Sequence, residues 1–94
     1  MVTKFEWDPQ KAARNFRKHA LPFAYAARVF TDPHRLDRVD DRNDYDEERR
    51  ITMGAVEGRV LVVIYTERPP YIRIISARKA DKDEEQDYYD SLHF

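Results

Sequence analysis

Apolar and polar positions follow two rhythms along this chain, and their switches mark the elements. Residues 3–7 (Thr-Lys-Phe-Glu-Trp) alternate like a short strand. Asp8-Pro9 then starts a helix, because aspartate can accept from exposed first-turn amides and proline suits the first helical position. In that helix Ala12, Ala13, Phe16 and Ala20 fall on one face, the predicted inward side. Lys11, Arg14, Asn15 and Lys18, at i, i+3, i+4 and i+7, form the opposite polar stripe. Leu21-Pro22 ends it. Phe23, Ala26, Ala27 and Phe30 set a second helical face, which Asp32-Pro33 stops.

From Pro33 to Asp46 the pattern weakens. Asp40, Asp41, Asp44 and Asp46 crowd around Asn43 as an expected exposed loop, with a short strand near Leu36–Val39. Three strands follow. Arg49–Ala55 alternates, Val60–Tyr65 is apolar on both faces and so central, and Tyr71–Arg78 alternates again. Glu57-Gly58 predicts a tight hairpin between the first two, and Arg68-Pro69-Pro70 a looser connection to the third. Residues 80–91 predict a helix whose acidic first turn suits the positive end of its dipole. The expected order is β-α-α-β-β-β-α: one α+β domain over residues 1–94, two helices laid on an antiparallel sheet.

The strand Ile72-Arg73-Ile74-Ile75-Ser76-Ala77-Arg78 is the most informative stretch. An unpaired guanidinium is costly to bury, while its planar fork on a rigid strand suits an anion such as phosphate. Simple alternation puts Ile72, Ile74, Ser76 and Arg78 on one face and Arg73, Ile75 and Ala77 on the other. Arg73 and Arg78 therefore reach one groove only if a bulge intervenes. Otherwise one of them is structural, pairing with Glu84 or Glu48, and Arg78 at the strand end is expected to be the freer. Glu84 and Tyr88, one helical turn apart, are expected to anchor the last helix to the sheet.

Net charge alters the picture through its distribution. The total of −1 speaks against a nucleic-acid binder. Yet residues 1–30 carry six Lys/Arg against two acids, and residues 51–80 five against two, whereas residues 31–50 carry five against eight and 81–94 one against six. If the fold joins the two basic segments, a phosphate-attracting surface forms on a nearly neutral protein. Ninety-four residues lie near the lower end of what buries a self-sufficient core. No apolar run approaches a membrane span and no secretory signal opens the chain, so no membrane association is expected. Zero cysteines exclude disulfides and thiol chemistry and fit a cytoplasmic protein.

Candidate chemistry narrows by elimination. His19, His34 and His93 lack metal-ligand spacing to one another, and the acidic cluster lacks the glycine and spacing of a calcium loop, so no metal and no cofactor is expected. With only Gly54 and Gly58, a glycine cradle for nucleotide phosphates is impossible. What remains suits RNA cleavage through the RNA's own 2′-hydroxyl, which needs a base, cations on the phosphate and an acid for the leaving oxygen. His19 is the first candidate, placed on the border of the helix's two faces and at its C-terminus, where the dipole favours the protonated form. His93, near the chain end, is its rival. Lys11, Lys18 and Lys79 are the RNA-binding candidates.

Two separated signatures carry a resemblance. Phe5-Glu6-Trp7-Asp8-Pro9 leads into Lys11, Asn15, Lys18-His19, Phe23 and Ala26. Ile72–Ala80 is followed by Glu84 and Tyr88, with Glu48-Arg49 and Gly54 between the two. In that order the chain resembles the BrnT family of bacterial toxins over roughly residues 5 to 88. The resemblance implies a RelE-type fold and a ribonuclease that stops translation. It implies neutralisation by a BrnA-like ribbon-helix-helix antitoxin, with operator DNA touched only through that partner. It also makes Arg49, Arg73 and Arg78 the candidates for phosphate contacts beside His19. Ala20 stands where a glycine is usual, and Pro22 replaces a polar cap, so the helix–helix corner departs from the pattern. A binding module for RNA or protein, without catalysis, is the alternative.

Overall fold

The structure is a computed structural model that describes residues 4–42 and 47–93. Its elements are β1 (Lys4–Glu6), α1 (Pro9–His19) and α2 (Phe23–Ala26), which a 3-10 turn continues over Ala27–Thr31. Then come β2 (Leu36–Asp40), β3 (Arg49–Val56), β4 (Arg59–Arg68), β5 (Tyr71–Lys79) and α3 (Lys82–Asp90). The expected α+β class is present. The predicted order lacked one strand, because Leu36–Asp40 is a full sheet member. The expected antiparallel sheet is in fact mixed: five strands run in the order β1-β5-β4-β3-β2, and β1 lies parallel to β5.

Local chemistry explains most boundaries. Asp8 accepts from the Gln10 amide at 2.8 Å, with Pro9 at the first helical position. Glu57 and Gly58 both take positive φ, 51° and 80°, which turns β3 into β4 over two residues. Pro69-Pro70, joined by a cis peptide bond, connects β4 to β5 just as tightly, so the looser turn expected there is absent. Among the described residues of the acidic run, Asp41 is exposed as expected and Asp40 is not. Asp40 is buried at the end of β2, and both its carboxylate oxygens accept from Arg42, at 2.8 and 3.0 Å. Asn43, Asp44 and Asp46 lie outside the described residues.

One side of the sheet carries the main core. Leu61, Val63, Tyr65, Ile74 and Ala77 meet Leu21, Phe23, Ala26 and Val29 from the helices. The partner of Ile64 is Ser76, whereas that of Tyr65 is Ile74, so Ile75 is one residue too many in β5. This bulge reverses the alternation. Ala77 rejoins Ile72 and Ile74 on the core side, and Arg73 emerges on the same outer side as Ser76 and Arg78. The face assignment expected from simple alternation is thereby corrected, and the parity conflict between the two arginines is resolved.

α1 does not bury the face its pattern predicted. Its one buried residue is Asn15, while Phe16 is 52% exposed. β1 covers only the first three residues of β5, leaving the later backbone of that strand without a ladder partner on the edge away from β4. Asn15 fills the gap: its amide donates to the Ala77 carbonyl at 2.9 Å and accepts from the Ala77 N–H at 3.1 Å. It also donates to the Leu21 carbonyl at 3.3 Å. The helix is held to the sheet edge by polar pairing, so a wheel drawn from apolar residues misplaces its contact face.

Candidate functional site

The Asn15 clamp sets α1 beside the outer side of β5 and leaves a groove of about 430 Å3 between them. Lys11, Arg14, Lys18 and His19 line it from the helix, and Ile75, Ser76 and Arg78 from the strand. Four candidates therefore meet here: His19, Lys11, Lys18 and Arg78. Arg14 and Ser76 join them. Arg14 was legible as part of the same helical stripe and Ser76 as sharing the face of Arg78, while Ile75 enters through the bulge, which alternation alone does not announce.

The other candidates are placed elsewhere. Arg73 shares the outer side but faces Glu6 of β1 at 3.5 Å. Arg49 stands half-buried at the start of β3, across from Asp40. Lys79 follows Ala77 onto the opposite side from Arg78 and is exposed beyond the groove. His93 is exposed after α3 and is not among the residues lining the groove.

Charge in the groove is of two kinds. Lys11, Arg14 and Lys18 make no ion pair among the described residues, so their cationic heads remain available to an anion. Arg78 is engaged. Its guanidinium meets Glu84 of α3 through two parallel bonds, 2.7 and 2.8 Å. Those bonds push Arg78 upward and hold the Glu84 carboxyl down at about 2. Glu84 also accepts from the Asp81 amide at 2.9 Å, closing a capping box with Asp81. The expectation that Arg78 would be the freer arginine is corrected: Arg73 has the longer contact. Arg42 adds a further positive charge felt by Arg78.

α3 is fixed at two points, as its sequence suggested. Glu84 holds it at Arg78. Tyr88, the one buried residue of the helix, donates to Asp32, which also accepts from the Ala55 N–H at 2.8 Å. Burial, reinforced by the Asp32 carboxylate, pushes the Tyr88 hydroxyl up to about 12.

Beyond the Arg78–Glu84 pair lies a second cavity, about 270 Å3, between α3 and the outer side of the sheet. Its floor is Leu36, Ile51, Met53 and Val62, with Arg38 and Asp87 among its walls. Successive strand partners Arg78, Val62, Met53 and Leu36 run straight from groove to cavity.

Sequence reasoning also missed a polar cluster on the core side. Asp37 accepts from Tyr65, from Arg35 at 2.6 Å and from Arg50 at 2.7 Å, and Arg35 reaches Thr52 at 2.9 Å. It is self-satisfied, which marks it as structural. Among the described residues no group of three or more His, Asp or Glu is placed to hold a metal ion. Among the described residues no helix is long and apolar enough to cross a membrane.

A family model described as a ribonuclease toxin, BrnT, of type II toxin-antitoxin systems matches residues 7–84. That span holds every groove residue and both attachment points of β5 to α1 and α3. No curated protein matches the chain.

Proposed function

This chain belongs to the BrnT family of type II toxin–antitoxin ribonuclease toxins, and from that premise we propose that it is a metal-independent endoribonuclease acting in the α1–β5 groove. The observation that carries the proposal is the meeting of His19 with Arg78 and the unpaired cations Lys11, Arg14 and Lys18 in one open groove. An RNA phosphate entering there would find cations on both walls. Arg78 supplies the guanidinium edge that its two bonds to Glu84 leave free, already held in plane, and the helix supplies point charges.

In this mechanism His19 takes the proton of a 2′-hydroxyl, whose oxygen then bonds to the adjacent phosphorus. The bond from phosphorus to the 5′-oxygen breaks, and that oxygen takes a proton from water. A 2′,3′-cyclic phosphate and a 5′-hydroxyl end result, and His19 returns its proton to solvent. Arg78 and the α1 cations stabilise charge that grows on the phosphate oxygens in the transition state.

Inhibition of translation follows from cutting messages in the cytoplasm. The partner in this proposal is a BrnA-like ribbon-helix-helix antitoxin that covers Lys11, Lys18, His19 and Arg78 with an acidic segment and carries the operator contacts. The RelE-type relation belongs to the same proposal; an α+β domain whose N-terminal helices precede a sheet with an antiparallel β2–β5 run supports it. Purified protein should cleave RNA at full rate with EDTA present and leave 5′-hydroxyl ends. Cleavage that stops in EDTA and returns with magnesium would sink the mechanism.

A further inference from the structure

Groove and cavity share a single wall, the Arg78–Glu84 ion pair. A nucleotide whose phosphate lies at Arg78 has its base within reach of the far side of that wall. We propose that the cavity is a base slot that selects guanine in RNA bound at the groove, an inference that rests on the ribonuclease proposal above.

Size and lining favour a base. About 270 Å3 lies just under the roughly 300–1,000 Å3 of drug-sized sites, which leaves room for one flat ring system. The floor of Leu36, Ile51, Met53 and Val62 offers apolar contact to a ring face, as unstacked RNA bases require. The sulfur of Met53 adds a polarisable surface.

The walls favour guanine. Of the acids beside the cavity, Glu84 is committed to Arg78, and Asp37 to Tyr65, Arg35 and Arg50. Asp87 makes no side-chain hydrogen bond among the described residues, nor does Arg38 across from it. A carboxylate such as Asp87 accepts two parallel bonds from the guanine N1–H and N2 amine. Adenine and cytosine each offer one amine next to a ring nitrogen lone pair, which repels the second oxygen. Uracil offers a single N–H flanked by carbonyls. Arg38 adds donors for the O6 and N7 edge, the pairing by which arginine commonly reads guanine. The slot thus presents an acceptor and a donor where guanine presents their complements.

The test follows Met53, one of only two methionines in the chain. With methyl-labelled methionine, its resonance should shift on titration with guanosine 3′-monophosphate. It should shift with the adenosine, cytidine and uridine nucleotides only at about tenfold higher concentration or more. Asp87→Asn should erase that preference while leaving the adenosine titration unchanged, and Arg38→Ala should weaken guanosine binding alone. Equal response to all four nucleotides, or a preference that survives Asp87→Asn, would overturn the proposal. So would a Met53 signal that ignores nucleotides and moves only when the antitoxin is added, since the cavity would then be a protein anchor. A chain that binds guanosine selectively but cuts no RNA keeps the slot and loses the nuclease mechanism; one that cuts without guanine preference does the reverse.

Discussion

The cations of α1 and four arginines of the strands carry the same charge but live under opposite conditions. Arg50, Arg68, Arg73 and Arg78 each face a carboxylate: Asp37, Glu47, Glu6 and Glu84 respectively. Lys11, Arg14, Arg17 and Lys18 face none among the described residues. The strand arginines are in place before any ligand arrives and can orient a phosphate with little reorganisation. The helix cations are mobile heads on flexible stems, suited to capturing a polyanion rather than to aiming it. Arg78 belongs to both sets, because its Glu84 partner fixes its plane while its free edge still lines the groove.

The strongest way to break that contrast is to remove Arg78. Arg78→Ala should lower the rate of RNA cleavage about 100- to 1,000-fold, the usual loss for one donor aimed at transition-state charge. Glu84→Gln keeps the guanidinium and loses only its tether, so its cleavage should fall far less, although its melting temperature drops. Single-turnover rates and thermal melts on both variants separate the roles. If the two lose activity equally, Arg78 serves α3 and not the phosphate.

Next in size is the clamp that brings the two sets together. Asn15→Ala leaves the Ala77 N–H and carbonyl and the Leu21 carbonyl without their side-chain partner. Removing partners from buried polar groups costs about 1–3 kcal/mol, and chemical denaturation should show a loss in that range. An unchanged midpoint would mean that α1 is held by its apolar contacts after all.

The sequence made much of this fold legible, and the failures are specific. Proline, glycine and aspartate placed the turns and helix starts correctly, since each acts on its own backbone. Glu84 and Tyr88 were legible as anchors from their spacing. A bulge between Arg73 and Arg78 was one of two alternatives their parity left open; its place at Ile75 was not legible, because a one-residue insertion is set by the neighbouring strand. β2 is only weakly marked in the sequence, since its exposed charges at Asp37 and Arg38 dilute the pattern. The inward face of α1 was misassigned because Asn15 is buried through hydrogen bonds, whereas periodicity counts apolar residues only. Ranking the strand arginines above the helix lysines by chemistry alone could not show which were already paired.

Salt dependence sharpens the comparison further. Each free cation that meets an RNA phosphate releases counterions, worth about 0.7 in the slope of log K against log salt for single strands. The double variant Lys11→Ala, Lys18→Ala should therefore flatten that slope by about 1.4 in binding titrations. Arg68→Ala, which removes a cation already paired with Glu47, should leave it nearly unchanged. Equal slopes for both variants would erase the distinction between free and engaged charge.

The smallest effect concerns the end of α1, where the groove's histidine sits. Ala20, the residue after His19, closes the helix in a left-handed conformation with φ 55° and ψ 34°, its N–H donating to the Phe16 carbonyl at 2.7 Å. An alanine there pays about 1–2 kcal/mol for its Cβ, a cost that glycine escapes. Glycine in turn loses about 0.5–1 kcal/mol through the greater freedom of its unfolded chain. The balance favours glycine by roughly 0.5–1 kcal/mol, and Ala20 is exposed, so no packing is sacrificed. Ala20→Gly should raise the melting temperature by about 2–8 °C for a domain of this size. Cleavage should stay unchanged, because the hydrogen bond that fixes the helix end is a backbone one and survives the substitution. A lower melting temperature would show that the corner is not strained. A higher one with weaker cleavage would show instead that the stiff alanine corner is what holds His19 in the groove.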